Sequence, residues 1–332
     1  MNGGGHAVRF DDFIRFALYS DRGFYTENGG AGREADFITS PEVGPLFGLI
    51  VANYLDSVWN ELGCPSQFDV VEVGAGPGTF ARAVLSSPLL CRDAIRYFAV
   101  EKSTSQRKSH PSSVISSGEF PTEPISGVVI ANELLDNFPF RLVVYDAGWK
   151  EAWIIGTPAG YVEELRQVSD LPQILPEFAR HGSRAPIQDE ARRWVENTVS
   201  SIEKGRLLVI DYARSSTSSV VGLPWREWLR TYSNHGRGTH YLTNVGLQDI
   251  TCDVMLDQVF ENVDAQFTSQ ARFLKKYGIE VAVEEGRMYW DAHASHPDLH
   301  AMKMRSRISE AEALTDPDGL GAFTVAEVVV GD

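Results

Sequence analysis

Three glycines at alternate positions, Gly74, Gly76 and Gly78, lie in the run Val70-Val71-Glu72-Val73-Gly74-Ala75-Gly76-Pro77-Gly78-Thr79-Phe80. A strand that enters a glycine turn and then a helix start, here Ala81 to Leu85, forms a cradle for a nucleotide cofactor. Glycine lets the backbone approach a ligand, and the free N–H groups of the helix start face it. A dinucleotide fingerprint reads G-x-G-x-x-G/A. Counted from Gly74 and Gly76, its third small residue falls at Thr79, and the third glycine comes one position early. Pro77 also removes an N–H that a pyrophosphate would use. Arg96 to Glu101 reads as the next strand, ending in a carboxylate 101 − 78 = 23 positions past the last glycine. Such a carboxylate accepts the hydroxyls of a ribose, in NAD as in other nucleosides.

Two further stretches carry chemistry. Gly127 to Ala131 is a short apolar run of buried parallel-strand type, followed by Asn132-Glu133-Leu134-Leu135-Asp136-Asn137-Phe138-Pro139. Open α/β sheets bind ligands at that edge, so these polar groups are expected to face a site; the alternative is a helix cap with Asp136 solvated. Pro139 limits any helix here to about one turn. Trp225 to Asp253 is dense in polar residues, with Trp228, Arg230, Tyr232, His235, Arg237, His240, Asp249 and Asp253. His235 and His240 titrate near neutrality and are candidate general bases, or solvated loop residues. No His/Asp/Glu set has metal spacing, and no G-x-S-x-G nucleophile elbow occurs.

These groups need elements to hold them. Residues 8–20 place Phe10, Phe13, Ile14, Ala17 and Leu18 on one helical face. A polar loop leads to Asp36-Phe37-Ile38-Thr39-Ser40-Pro41-Glu42, which opens a long helix with an apolar stripe from Val43 to Leu62. Thr39 to Glu42 has capping-box spacing, and Ser40-Pro41 suits a cap with proline at the first helical position. Arg141 to Tyr145 and Glu151 to Ile155 read as a hairpin. Ala185 to Lys204 reads as an amphipathic helix closed by Gly205, and Arg206 to Tyr212 as another buried strand. Val254 to Phe260 and Ser269 to Tyr277 read as helices, Val281 to Asp291 as mixed, Leu299 to Leu314 as a mostly solvated helix, and Phe323 to Val330 as a final edge strand. Alternating strands and helices give an α/β doubly wound fold.

The 332 residues suffice for one large or two modest domains. A net charge of −15 disfavours a nucleic-acid partner. Cys64, Cys91 and Cys252 read as reduced thiols with no zinc site. No signal peptide or membrane span is evident, so cytoplasm is the default location. A homodimer is left open.

The glycine pattern Glu72-x-Gly74-x-Gly76-x-Gly78 resembles motif I of class I S-adenosylmethionine (SAM) methyltransferases, whose ligand has no pyrophosphate. The match widens along the chain. Phe10 to Tyr25, Asp36 to Glu42 with Phe47-Gly48, Glu72 to Thr79, Ala131 to Pro139, Ile210-Asp211-Tyr212, Leu229 to Tyr232 with His235, Asp249 to Asp253, and Gln270 to Leu274 resemble the MidA-like SAM-dependent methyltransferases over about residues 8–280. The chain departs from that family at Pro77, where a basic residue is common, and at Cys252-Asp253-Val254-Met255. The mitochondrial members assist assembly of respiratory complex I by methylating a protein arginine.

The resemblance implies a mostly parallel, seven-stranded class I methyltransferase sheet with an N-terminal helical extension and an inserted segment. The division expected is 1–65 extension or lid, 66–214 SAM-binding core, 215–280 acceptor-side insert and 281–332 completing the sheet. It places Ile38 to Glu42 as a lid against the cofactor and Asn132 to Pro139 beside the transferable methyl. The cofactor residues expected are Ile38, Thr39, Glu42, Glu72, Gly74, Gly76, Gly78, Thr79, Glu101, Lys102, Asn132 and Glu133. The catalytic candidates are Glu133, Asp136 and Asp253, carboxylates that position a guanidinium and offset its charge, and His235, which with His240 gains weight as base or orienter where the acceptor is a hydroxyl or carboxylic acid. Three functions remain open: methylation of a protein, on arginine of a respiratory-complex subunit; methylation of a small molecule; and SAM binding without turnover in an assembly factor.

Overall fold

The computed structural model describes residues 6–27, 39–168, 170–233 and 236–331. The chain forms two compact units, each built from separated stretches. One takes Ile38–Glu133, Thr198–Ile210 and Asp264–Asp332; the other takes Met1–Phe37, Leu134–Asn197 and Asp211–Val263.

The first unit holds a seven-stranded sheet of β1 (Phe68–Val73), β2 (Ile95–Val100), β3 (Ile115–Ser117), β4 (Ile125–Asn132), β5 (Ile202–Asp211), β6 (Ala265–Ser269) and β7 (Thr324–Val330). Their order is β6-β7-β5-β4-β1-β2-β3. The pairs β5–β4, β4–β1, β1–β2 and β2–β3 are parallel, and β6–β7 is antiparallel, so the sheet is mixed. The expected edge strand at the C-terminus is interior, and Ala265–Ser269 takes the edge beside it. Alternation reports which face a side chain occupies, not the strand's place in the sheet. The central strands β1 and β4 are buried on both faces, as parallel strands require; β4 is mostly apolar, and β1 carries the buried Asp69 and Glu72 among its apolar residues.

Backbones come unusually close at the middle of this sheet. A Cβ on Gly127 would lie 2.0 Å from the Asp69 carbonyl oxygen, and one on Gly205 would lie 1.8 Å from that of Gly127. Gly205 is therefore a strand residue in β5 and not the helix cap its spacing suggests. The preceding helix spans Asp189–Ser201, and Arg184–Ile187 before it is a strand paired with residues 141–144.

The apolar stripe after residue 43 forms Pro45–Glu61, not one helix from Thr39: Ser40–Val43 is a separate turn, broken at Gly44-Pro45. Proline lacks the N–H that would continue the ladder and disfavours helical backbone before it. The stretch read as mixed is a helix, Ile279–His293, joined by a short connection to the helix Leu299–Thr315, which packs against it. Gly286 weakens its periodicity because the second helix passes there: a Cβ would sit 2.4 Å from the Met304 carbonyl oxygen.

In the second unit, the helix Phe10–Tyr19 buries the five residues its periodicity selects. The hairpin Arg141–Tyr145 and Trp149–Thr157 forms as read, within a sheet that also takes Ala7–Arg9, Gly160–Gln167 and Arg184–Ile187. A smaller sheet joins Gly236–Arg237, Leu229–Ser233 and Asp249–Cys252. Val254-Met255 pairs with Ala213-Arg214, so the helix expected from Val254 is only Leu256–Val259. The core here is aromatic, with Phe10, Phe13, Phe140, Trp228 and Tyr241 fully buried.

Candidate functional site

The glycine loop follows β1 and leads into the helix Thr79–Ser86. Gly74, Gly76 and Gly78 have φ of 76°, 51° and 80°. All three positions lie in the left-handed region, which explains the glycines at alternate places. The N–H groups of Gly74 and Ala75 donate to the Val100 carbonyl at 2.9 and 3.1 Å, binding the loop to the end of β2. There the Glu101 carboxylate accepts from the Gly76 N–H at 3.0 Å and the Ser103 N–H at 2.7 Å. His110 closes the far side, with Nε2 2.8 Å from the Gly76 carbonyl oxygen and Nδ1 2.8 Å from Ser116 Oγ. Glu101 is thus fixed by backbone donors, and each oxygen keeps a lone pair for further donors such as ribose hydroxyls. Glu72, inside β1, is buried and accepts from the Tyr97 hydroxyl at 2.8 Å. Burial, with the nearby Glu101 charge, pushes its carboxyl up to about 8.

At the C-terminal end of β4, Glu133 has φ of 49°, a left-handed conformation that a glutamate adopts only under constraint. Its N–H donates to the Ile210 carbonyl at 2.8 Å, and its Oε1 accepts from the Ser40 N–H at 3.2 Å and from Asn132 Nδ2 at 3.3 Å. The Ser40 hydroxyl donates to Gln270 Oε1 at 2.9 Å, so Ser40 is an anchor and caps nothing. Asn132 Oδ1 is buried without a hydrogen-bond partner.

The second unit gathers a different set. Asp211 Oδ2 accepts from the Leu135 and Asp136 N–H groups at 2.9 and 3.3 Å and so shapes the single turn Leu135–Asn137. Asp136 accepts from the Tyr212 hydroxyl at 2.5 Å, and the Arg230 guanidinium lies over the Tyr212 ring, 4.7 Å from its centre. Arg230 is in turn paired with Asp253, whose other oxygen takes Arg214 Nε at 2.8 Å. Asp249 accepts from the Tyr25 hydroxyl at 3.0 Å and from Asn137 Nδ2 at 3.4 Å. Burial pushes Asp136 up to about 6, against the opposing pull of the Tyr212 hydrogen bond and the Arg230 charge. Burial and the Asp136 charge push Asp249 up to about 8.

Residues 50–273 match the family described as "Putative S-adenosyl-L-methionine-dependent methyltransferase". The chain belongs to this family. It is an S-adenosylmethionine-dependent methyltransferase of the MidA-like group. It is 27% identical over 93% of its length to a Drosophila melanogaster protein named as a mitochondrial protein arginine methyltransferase, covering 78% of that protein. A Danio rerio protein of the same name is 24% identical, with 93% and 80% of the two chains aligned. Among solved structures, a Burkholderia thailandensis protein crystallised with bound S-adenosyl-homocysteine superposes with a TM-score of 0.79 at 25% identity, over 97% of this chain and 88% of that one. The expectation of a cytoplasmic protein is overturned here: the relatives matched over most of their length carry mitochondrial names.

The residues expected to serve the methyltransferase separate into groups. Gly74, Gly76, Gly78, Thr79 and Glu101 meet at one loop, and Asn132 and Glu133 meet at the end of the neighbouring strand β4. Glu72 lies beneath, in β1. Thr39 is buried before the turn Ser40–Val43, its carbonyl accepting from the Glu42 N–H at 2.9 Å, with no side-chain cap. Lys102 is exposed, and its carbonyl accepts from Arg107. Ile38 and His235 lie outside the described residues. His240 packs on Tyr241 and Trp225 and accepts from the Leu242 N–H through Nδ1 at 3.2 Å. Burial, with Arg226 and Arg184, pulls its imidazole below the usual value. Asp211, Tyr212 and Asp249 carry more of the network than sequence reasoning assigned them. The acid ending β5 and the tyrosine after it are the one local signal that points there. Among the described residues, no group of three or more His, Cys, Asp or Glu could hold a metal ion, and no helix is long and apolar enough to cross a membrane.

Proposed function

We propose that this methyltransferase moves the methyl group of SAM to an arginine guanidinium of a protein, in a respiratory-complex subunit as the family resemblance implies, in the mitochondrial compartment of its named relatives. The observation that carries the reading is Glu133, a non-glycine residue held at φ of 49° directly after a central strand. Strain of that kind is kept where a side chain must point into a site.

The residues present suit the cofactor. Gly74, Gly76 and Gly78 supply a backbone wall without side chains, Thr79 and the start of its helix border it, and Glu101 supplies acceptors for ribose hydroxyls. The buried, unpartnered Asn132 Oδ1 awaits a donor. Ile38 to Glu42 acts as a lid in this reading. A sulfonium supplies an electrophilic methyl group. The chain's own residues orient the acceptor nitrogen in line with it and keep water away. Held by Gly74, Gly76, Gly78, Thr79 and Glu101, the cofactor would supply a methyl group whose C–S bond breaks as a C–N bond forms, and the acceptor nitrogen would pass one proton to a neighbouring carboxylate. Glu133 is the residue assigned to orient the acceptor nitrogen, and Asp136 and Asp253 of the second unit are the further carboxylate candidates. The finer fold reading, a doubly wound and mostly parallel sheet, goes with this proposal and is supported by the four consecutive parallel pairings.

Calorimetric titration with SAM, S-adenosylhomocysteine and NAD tests the cofactor reading, with Glu101→Ala as control. SAM binding that weakens in the variant, followed by labelled-methyl incorporation into arginine of a mitochondrial extract, is the expected result. Binding of NAD in place of SAM, or label found only in small molecules, would overturn it.

A further inference from the structure

Buried polar atoms almost always find partners, so each one left without a protein partner calls for an explanation, such as an ordered water, stored strain or a functional role. Asp136 Oδ1, Arg230 Nε, Trp228 Nε1 and Thr251 Oγ1 are buried with no hydrogen-bond partner, and all four belong to the second unit. They lie along one connected chain of contacts. Asp136 takes the Tyr212 hydroxyl through Oδ2 only. Tyr212 lies under the Arg230 guanidinium, and Arg230 pairs with Asp253, whose N–H donates to the Trp228 carbonyl. Thr251 is the strand partner of Arg230. Asp136 and Asp253 are 2% and 3% exposed, and Asp249 is fully buried.

The charge count is unbalanced. Among the described residues, Arg230 and Arg214 are the cations beside Asp136, Asp249 and Asp253, which leaves 3 − 2 = 1 of these three carboxylates without a cation, and the buried Asp211 carboxylate adjoins them through the Leu135 and Asp136 N–H groups. Asp253 already holds both arginines, so the deficit falls on the other two. An uncompensated buried carboxylate is costly and takes up a proton instead. Burial raises both carboxyls, Asp136 to about 6 and Asp249 to about 8, so near pH 7 Asp249 holds the proton beside a largely ionised Asp136.

We propose that Asp136, through its open Oδ1, receives the cationic N–H of the methyl acceptor, and that Tyr212, clamped by Arg230, is the positioning residue that aims it. This rests on the reading of the acceptor as a guanidinium and adds its subsite. Asp253 then serves as the counter-charge of Arg230 and does not touch the acceptor. The groups that set the protonation of Asp136 are Tyr212, Arg230, Asp253 and Asp249, with Tyr25 and Cys252 beyond. Arrival of a cation lowers the carboxyl pKa values and expels a proton.

The test titrates N-acetyl-arginine amide, and its neutral counterpart N-acetyl-citrulline amide, into the full chain saturated with S-adenosylhomocysteine. Two buffers of different ionisation enthalpy count the protons released. The expected result is binding of the arginine amide alone, with proton release near pH 7. Asp136→Asn should weaken it at least roughly tenfold, the loss of one charge-assisted hydrogen bond. Tyr212→Phe should weaken it less and shift proton release to higher pH, because the lost hydroxyl no longer favours the ionised carboxyl; a merely structural role would not move that pH. S-adenosylhomocysteine affinity should hold in both variants. Equal binding of the two amides, no binding of either, or Asp136→Asn and Tyr212→Phe behaving as wild type would overturn the proposal alone. Failure of the wild type to bind S-adenosylhomocysteine would instead overturn the reading beneath it, and this one with it.

Discussion

The two units build their polar sites by different means. At the glycine loop the backbone does the work: three left-handed glycines, N–H groups aimed at Glu101, and a strand end that holds Glu133 at positive φ. In the other unit, side chains from four separated stretches hold one another, Asp136 by Tyr212, Asp253 by Arg230 and Arg214, and Asp249 by Tyr25 and Asn137. A site made of backbone is rigid and tolerates little change of shape. One made of paired side chains tolerates change of shape but little change of charge. Substitutions of each kind should therefore divide the molecule.

The largest effect is expected where backbones meet most closely. Gly205→Ala puts a methyl group against the Gly127 carbonyl, and should destabilise the protein by about 4 kcal/mol or more, the exceptional end of single substitutions. Thermal or denaturant unfolding measures this, and a loss of less than about 1 kcal/mol would mean the sheet gives way more easily than such packing allows. Next comes the charge-built unit. Asp253→Asn leaves Arg230 and Arg214 without their carboxylate, and should cost about 3 kcal/mol, as breaking a buried ion pair does. A double-mutant cycle with Arg230→Met isolates the pair, and an interaction energy near zero would argue that the pairing is incidental. Third, Gly76→Val forces a β-branched residue to a φ of 51°; with strain of about 2 kcal/mol, SAM affinity should fall roughly 30-fold while Asp253→Asn leaves it within about threefold. Calorimetry with both variants reads the division directly.

How much of this was legible in the sequence follows the same line. Backbone demands write themselves into local residue types. The alternate glycines, the apolar run of β4 and the five buried residues of the first helix can all be read from consecutive positions, and Asn132 to Asp136 announces itself by following a strand. The carboxyl network cannot be read that way. Asp249 and Tyr25 are 224 positions apart and Asp136 and Tyr212 are 76 apart, and nothing local in either member specifies the other. Gly205 and Gly286 misled for a related reason: each is a glycine because another backbone passes close by, and that neighbour lies far away in the chain. The C-terminal strand was read as the edge of the sheet, but Ala265–Ser269 takes that edge, because alternation fixes a face and leaves order to tertiary pairing.

The smallest effect concerns a carboxyl that belongs to the backbone-built unit yet behaves like the other. Glu72 is buried in β1, and burial holds its pKa at about 8 against an ordinary value of 4.5. Between those two pH values the folded protein keeps a proton that the unfolded chain releases. Stability therefore falls as pH rises through that window, is fully present below the lower value, and levels off above the upper one. The slope is at most about 1.4 kcal/mol per pH unit for one group. Glu72→Gln keeps an oxygen for the Tyr97 hydroxyl and removes the titration, so between pH 6 and 7 the variant should lose about 1 kcal/mol less than wild type. Asp249→Asn should act in the same direction, because burial and the Asp136 charge raise its pKa in the same way. Urea unfolding at closely spaced pH values separates the two, since Asp136→Asn removes a neighbouring charge that raises Asp249 and is not among the influences on Glu72. If the Glu72 slope also changed on Asp136→Asn, the two regions would share one electrostatic field, and the division between a site of backbone and a site of charge would fail at that point.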